Sequence, residues 1–242
     1  MATSVASLRR RQIHKVNAAL VLAAMLVIFA GFAPTYFLNA FFAQRVLPWV
    51  LHLHGFIFSA WFVLLLVQIL LVANGRTDLH RRLGVAGFGL ACIMVPLGLW
   101  VGIHAAKYGS LSTPPGINPL SFLAIPFGDI VVFATLVTAG LLYRRRPEFH
   151  KRLMMLSALS MLAPAVGRLP LAFIQTHGLP AVFGIADLLV LAFIAYDTIS
   201  HKRLHPANLW GGLLILISAP ARLAISGTTA WLAFAHWLTH WA

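Results

Sequence analysis

Asp78-Leu79-His80-Arg81-Arg82-Leu83 is the first of three related stretches in this chain. Glu148-Phe149-His150-Lys151-Arg152-Leu153 repeats its order of acid, apolar residue, histidine, two cations and leucine. His201-Lys202-Arg203-Leu204 repeats its core. Each copy lies in a short polar gap between two long apolar runs and leads into the second. The pattern predicts an all-α membrane helix bundle of one leading helix and three helical hairpins, with a histidine and two cations at each hairpin turn.

The composition agrees with that reading. The chain is 60% hydrophobic and 10% charged over 242 residues, whereas charged residues make up about a quarter of an ordinary soluble domain. Its mean hydropathy of +0.88 points the same way. A formal charge of +13 could indicate nucleic acid, but the cations cluster in short gaps between apolar runs, where a membrane protein concentrates them. The single Cys92 lies within an apolar run, so neither an intrachain disulfide nor iron–sulfur ligation by this chain alone is available.

Seven spans are expected, at about 16–37, 48–73, 82–106, 121–143, 153–175, 180–199 and 208–235, each long enough to cross a hydrocarbon layer. Three parts follow: a basic cytoplasmic segment at 1–15, a transmembrane domain at 16–235 and a short outside tail at 236–242. The first span has no convincing small-residue cleavage site and is expected to be retained. With the amino terminus inside, the inner segments hold Arg9, Arg10, Arg11, Lys15, Arg76, Arg81, Arg82, Arg144, Arg145, Arg146, Lys151, Arg152, Lys202 and Arg203, 14 of the 18 cations. The outer loops keep Arg45 and Lys107. The loop-charge rule therefore places the amino terminus inside and the carboxyl terminus outside, as in a bacterial inner (cytoplasmic) membrane.

Four ionisable residues fall inside spans, where they are expensive and mark candidate sites. Asp129, Arg168, Asp187 and Arg222 all come out roughly 12 Å below the outer surface at ~1.5 Å rise per residue. Because arginine pairs bidentately with carboxylates, Asp129–Arg168 and Asp187–Arg222 are the expected partners across adjacent helices. Such pairs either fix helix register or line a transport pathway. Pro96, Pro164 and Pro220 are expected to kink spans 3, 5 and 7, two of them beside this layer.

The histidines form two further layers. His52, His54 and His104 lie in the outer half. His52 and His54 point about 200° apart on a helix, so one faces the bundle and the other faces lipid or a neighbouring helix. A His54–His104 pair could hold haem iron or copper, for which neutral imidazole is a common ligand. His80, His150 and His201 form the inner layer, each read as standing near the entrance to a span. There they serve an anion site, a solvated belt or, if His80 and His150 converge, a bis-histidine haem. The deeper outer layer is the favoured site. Asp197 and His201, four apart, share a helix face and are expected to snorkel to the interface. Phosphate-binding glycine loops, zinc-protease signatures and Ser-His-Asp orders are absent from the sequence.

His52 through Gln68 and Gly75-Arg76 to His80-Arg81-Arg82-Leu83-Gly84 resembles a family of uncharacterised bacterial multi-pass inner-membrane proteins with His-Arg-x-Leu-Gly turns. So do Pro147–Leu156 and the stretch from Asp187 through Tyr196-Asp197 to His205-Pro206. The resemblance covers roughly residues 45–235 and implies the bundle and its location but no activity. The turn also looks faintly like those of histidine-rich b-type cytochrome and oxidase-assembly membrane proteins. Those cytochromes typically carry paired ligands on one helix, a pattern no span here shows.

The expected role is a redox or electron-transfer protein holding haem b or a metal ion through some of His52, His54, His104, His80 and His150. Transport of a small molecule or ion through the Asp129/Arg168/Asp187/Arg222 layer is the first alternative. A non-catalytic assembly factor or accessory subunit of a membrane complex is the second. The partners expected are the lipid bilayer and other membrane-complex subunits, with no nucleic acid.

Overall fold

A computed structural model describes the backbone of residues 2–110, 113–114 and 116–241, and the side chains of these from residue 12 onward. Arg9, Arg10 and Arg11 of the basic segment, part of the 107–120 loop and Ala242 of the tail lie outside what is described at side-chain level. Among the described residues there is no strand. Apolar runs of this length favour helices, which satisfy their backbone polar groups within each segment.

Six helical segments are long and apolar enough to cross a membrane: Gln12–Phe37, Trp49–Ala73, Thr77–Tyr108, Pro119–Leu142, Ala172–His201 and Pro206–Ile225. The first combines α1 (Ala2–Phe32) with a π-helical turn (Ala33–Phe37), and a short α2 (Asn39–Phe42) follows. The next two are α3 (Trp49–Ala73) and α4 (Thr77–Tyr108). A short α5 (Pro119–Phe122) leads into α6 (Ala124–Leu142). The helix ends carry their expected signals. Asp78 and Glu148 sit in the first turns of α4 and α7 (Pro147–Leu159), where the helix dipole favours an acid. The Asn118 side chain caps α5 by accepting from Leu120 N–H.

The expected fifth span is not one helix. After α7 the chain passes through a short α8 (Ala163–Val166) and restarts as α9 (Ala172–His201), which breaks again at Gly178 (φ 60°, ψ −141°). Pro164 does not kink a continuous helix; it starts α8 in the first turn, where a missing N–H costs nothing. Pro170 and the Gly178–Pro180 stretch supply the remaining breaks. By contrast, Pro96 and Pro220 lie inside continuous helices. The expected last span also divides. α10 (Pro206–Ile225) ends there, and α11 (Thr229–His240) begins at the N-cap Thr228. α11 packs on α4 and α5, and its Trp231 Nε1 donates to the Leu120 carbonyl at 2.9 Å.

α3 packs against α4, and α6 against α7, as hairpins, while α1 lies on α3 and α8 and α10 crosses both α6 and α7. Gly31 makes the α1–α8 contact close, because a Cβ there would lie 2.2 Å from the Ala165 carbonyl oxygen. One core gathers Trp61, Met94, Phe133, Leu136, Leu156 and Phe193. A second surrounds the broken segment with Ile125, Val166, Val182, Phe183 and Ala219. Leu26, Phe56, Val85 and Ile199 remain exposed on the outside of the bundle, as side chains facing lipid would.

Candidate functional site

The charged layer assembles around α6 with partners other than those expected. Arg222 of α10 ion-pairs with Asp129 of α6 through Nη1, so the expected Asp129–Arg168 pair does not form. The rest of the guanidinium is also committed. Its Nε donates to the Ser218 carbonyl at 3.1 Å, Nη1 to the Ile125 carbonyl at 3.2 Å and Nη2 to Ser218 Oγ at 2.9 Å. Gly128 lets the arginine cross α6 here, since a Cβ at that position would lie 2.1 Å from Arg222 Cδ. Both members are buried, at 3% exposure for Asp129 and 7% for Arg222.

Nor does Asp187 form the expected ion pair with Arg222. It lines a cavity of about 10 Å³ together with Asp129, Arg222 and Ser160, room for about one water molecule. Arg168 has contacts of its own. Its Nη1 donates to the Pro164 carbonyl at 2.6 Å, and its guanidinium lies 4.5 Å from the centre of the Phe32 ring on α1. Of the four residues predicted for the layer, Asp129, Asp187 and Arg222 line one cavity.

The outer histidines make their ring contacts within their own helices. His54 stacks on Phe58 of its own helix, ring centres 4.0 Å apart, and His104 lies between Trp100 and Tyr108 of its own helix at 5.0 and 4.4 Å. Among the described residues no ring contact joins the two histidines. His52 is exposed and His54 half-buried, the division that a 200° separation requires. Each ring packs on an aromatic neighbour one turn away.

The inner histidines do meet. The His80 and His150 rings lie 6.2 Å apart, centre to centre, and nearly perpendicular at 84°. His150 Nδ1 is 2.8 Å from the Gly140 carbonyl. A carbonyl only accepts, so Nδ1 carries the proton and Nε2 of the neutral ring presents a lone pair. His80 Nδ1 is buried and has no hydrogen-bond partner within the protein. Among the described residues no three His, Cys, Asp or Glu side chains gather as a metal-ligand set. The third histidine of the repeat departs from the expectation: His201 ends α9 instead of opening a span. The residue that opens α10 is His205, whose Nδ1 accepts from Ala207 N–H at 3.1 Å. Burial, reinforced by the nearby Arg152 cation, holds the His205 imidazole below its usual value, against the opposing pull of Asp197 and Glu148.

Comparison with protein-family models, curated proteins and solved structures finds no match. The chain's own geometry is what bears on its role.

A second buried network was not anticipated. Arg152, 1% exposed, donates from Nε to Asp197 Oδ2 at 2.6 Å and from Nη1 to Glu148 Oε2 at 2.6 Å. Asn208 Nδ2 donates to the same Asp197 oxygen at 2.8 Å, and His201 Nδ1 lies 3.3 Å from Asp197 Oδ1. His201 and Asp197 share a face as their spacing implies, but Asp197 does not snorkel to the interface. It is buried, because Arg152 supplies a counter-charge inside the bundle. Burial alone would raise the Glu148 carboxyl; hydrogen bonds from Lys151 and Arg152 outweigh it and hold the group at about 2. The overlooked signal was the i, i+4 spacing of Glu148 and Arg152, with an unpaired acid at matching depth on α9.

Proposed function

We propose that this is a bacterial inner-membrane protein that holds a transition-metal centre, haem b iron or copper, between His80 and His150 in a redox or electron-transfer role. The observation that carries this reading is the convergence of those two rings at 6.2 Å. Two imidazoles opposed across a metal at ~2 Å per bond would place their ring centres about 6 Å apart. Both nitrogens needed are available, one freed by the Gly140 carbonyl and one buried without a partner. A backbone carbonyl behind a ligating histidine is the usual device for fixing its tautomer. The set holds two protein ligands, which suits haem iron, whose other positions the porphyrin supplies, or a low-coordinate copper ion. It does not suit a four-ligand zinc site. Arg81, Arg82 and Lys151, within two residues of the two histidines in sequence, favour a centre that brings carboxylates with it.

In this reading the chain crosses the membrane seven times with its amino terminus inside, and α7 and α8 together provide the fifth crossing. The distribution of loop cations supports that orientation, and it puts the His80–His150 pair at the cytoplasmic end.

The test is a reduced-minus-oxidised absorption spectrum of detergent-purified protein, with metal analysis of the same sample. A Soret band with a sharp α absorbance would identify haem, and near-stoichiometric copper without it would identify copper. Either centre should be lost in His80→Ala and His150→Ala and kept in His52→Ala and His104→Ala. A colourless, metal-free protein would refute the reading, as would a centre that survives both inner substitutions.

A further inference from the structure

The charge count around the outer cavity does not balance. Asp129, Asp187 and Arg222 line it, so two carboxylates face one guanidinium. Arg222 spends its donors on Asp129, on Ser218 and on the Ile125 carbonyl, and forms no ion pair with Asp187. Arg168, the other cation of the layer, is directed at the Pro164 carbonyl and the Phe32 ring. The remaining walls come from Leu159, Ser160 and Ala163 before and within α8 and from apolar residues of α9 and α10; none of these titrates. One negative charge is left over in a site where an uncompensated carboxylate is costly.

Two polar atoms mark where the compensation goes. Asp129 Oδ2 is buried and has no hydrogen-bond partner, although its sister oxygen is held by Arg222. Ser160 Oγ donates to the Ser157 carbonyl at 2.9 Å, so its hydrogen is committed and its lone pairs remain able to accept. Asp187 is the half-buried member, whereas Asp129 is sealed.

The geometry points to a binding site for one exchangeable proton, carried on Asp187 and shared with Asp129 across the cavity. The proton enters at the half-buried Asp187 carboxylate and forms an O–H bond there. That hydroxyl donates toward Asp129 Oδ2, directly or through the single water the cavity admits, and Ser160 Oγ accepts from the same water. Arg222 donates to the other oxygen of Asp129, which leaves Oδ2 as the acceptor. Loading the proton brings the net charge of the site to zero, and releasing it restores the excess negative charge. This site is independent of the histidine pair and would give the protein a way to bind and release protons within the membrane.

Dicyclohexylcarbodiimide tests the idea, because it enters membranes and reacts with protonated carboxyl groups. The full chain, in membranes, would be labelled across a pH series and the adduct mapped by mass spectrometry among its five acids. The expected adduct is on Asp187, with labelling falling about tenfold for each pH unit above its midpoint, as a single titrating proton requires. Asp187→Asn should abolish it in protein that elutes as a single folded species. If that variant fails to fold, the position of the adduct and its pH profile in the unaltered chain decide the matter. An adduct confined to Asp78, Glu148 or Asp197, or no adduct at all, would overturn the proposal. Protection by sodium at constant pH would also overturn it, by showing that a metal cation fills the site instead.

Discussion

Replacing Arg152 should destabilise this protein more than any other single charge change at the inner end. The side chain is 1% exposed and makes two contacts of 2.6 Å to carboxylate oxygens, on Asp197 and on Glu148. The Glu148 side chain is 53% exposed, so that pair is screened and contributes no more than about 1 kcal/mol. The Asp197 pair is different. Arg152→Met would leave a buried carboxylate supported only by Asn208 and His201, and stranding one member of a buried pair costs roughly 3–5 kcal/mol. At about 2–4 °C per kcal/mol for a chain of this size, the lower figure lowers the melting temperature by about 6–12 °C. Thermal unfolding in detergent, followed by circular dichroism, would measure it. Asp197→Asn should also destabilise. The double variant should then recover part of the loss, with a coupling of about 1.5 kcal/mol or more, near the middle of the range seen for residues in one network. Additive losses, within about 0.5 kcal/mol, would refute the claim that the two charges exchange energy directly.

Two other outcomes can be measured on the same footing. Gly128→Ala should cost about 1–3 kcal/mol, the usual range for overpacking, because the new methyl meets Arg222 Cδ at 2.1 Å; Gly184→Ala, with nothing within 4 Å, should be neutral or stabilising by up to about 1 kcal/mol, and melting curves of the pair compare them. Acid should lower the melting temperature in two steps: His205 is held below its usual 6.5, so its contribution is full above that pH and is lost as pH falls below it, and Glu148, at about 2, loses its contribution below its usual 4.5. His205→Asn keeps a good N-cap without a titrating group and should remove the first step, while Glu148→Gln should remove the second.

The class of fold was legible because it depends on composition and run length alone. Asp129 and Arg222 came out at one depth by counting residues, and they do meet. Their pairing was not legible. Depth along a helix can be counted from its ends, but which helices are neighbours depends on packing between residues 93 apart in the chain. The same limit misassigned Arg152. In sequence it belongs to a run of loop cations that the positive-inside bias explains, and only the approach of α9 to α7 buries it. The ring contacts of His54 and His104 are local. Each ring has an aromatic residue four positions away on its own helix, a neighbour that spacing could have revealed. The broken fifth span was signalled by Pro164, Gly167, Pro170 and Gly178, but counting hydrophobic residues blurs such breaks into one continuous run.

The two buried charge clusters call for different explanations. A buried ion pair is rarely more stabilising than apolar side chains of the same volume, so its presence asks for a role in register or in chemistry. The inner cluster sets Arg152 and Lys151 against Glu148 and Asp197, and its charges cancel. It ties α7 to α9 and α10 at one height, which a register role accounts for completely. The outer cluster sets Arg222 against Asp129 and Asp187, and its charges do not cancel. Between them runs the interrupted stretch from Ser160 to Leu171; within a membrane bundle, irregular backbone is tolerated only where protein buries it or it lines a cavity. Ser160, Leu162, Ala163, Ala165 and Val166 are buried there, and Ser160 and Ala163 also reach the cavity. An unbroken helix would have served a brace equally well. The break, the surplus carboxylate and the water-sized space coincide at the outer cluster, so that cluster is where register alone falls short as an account.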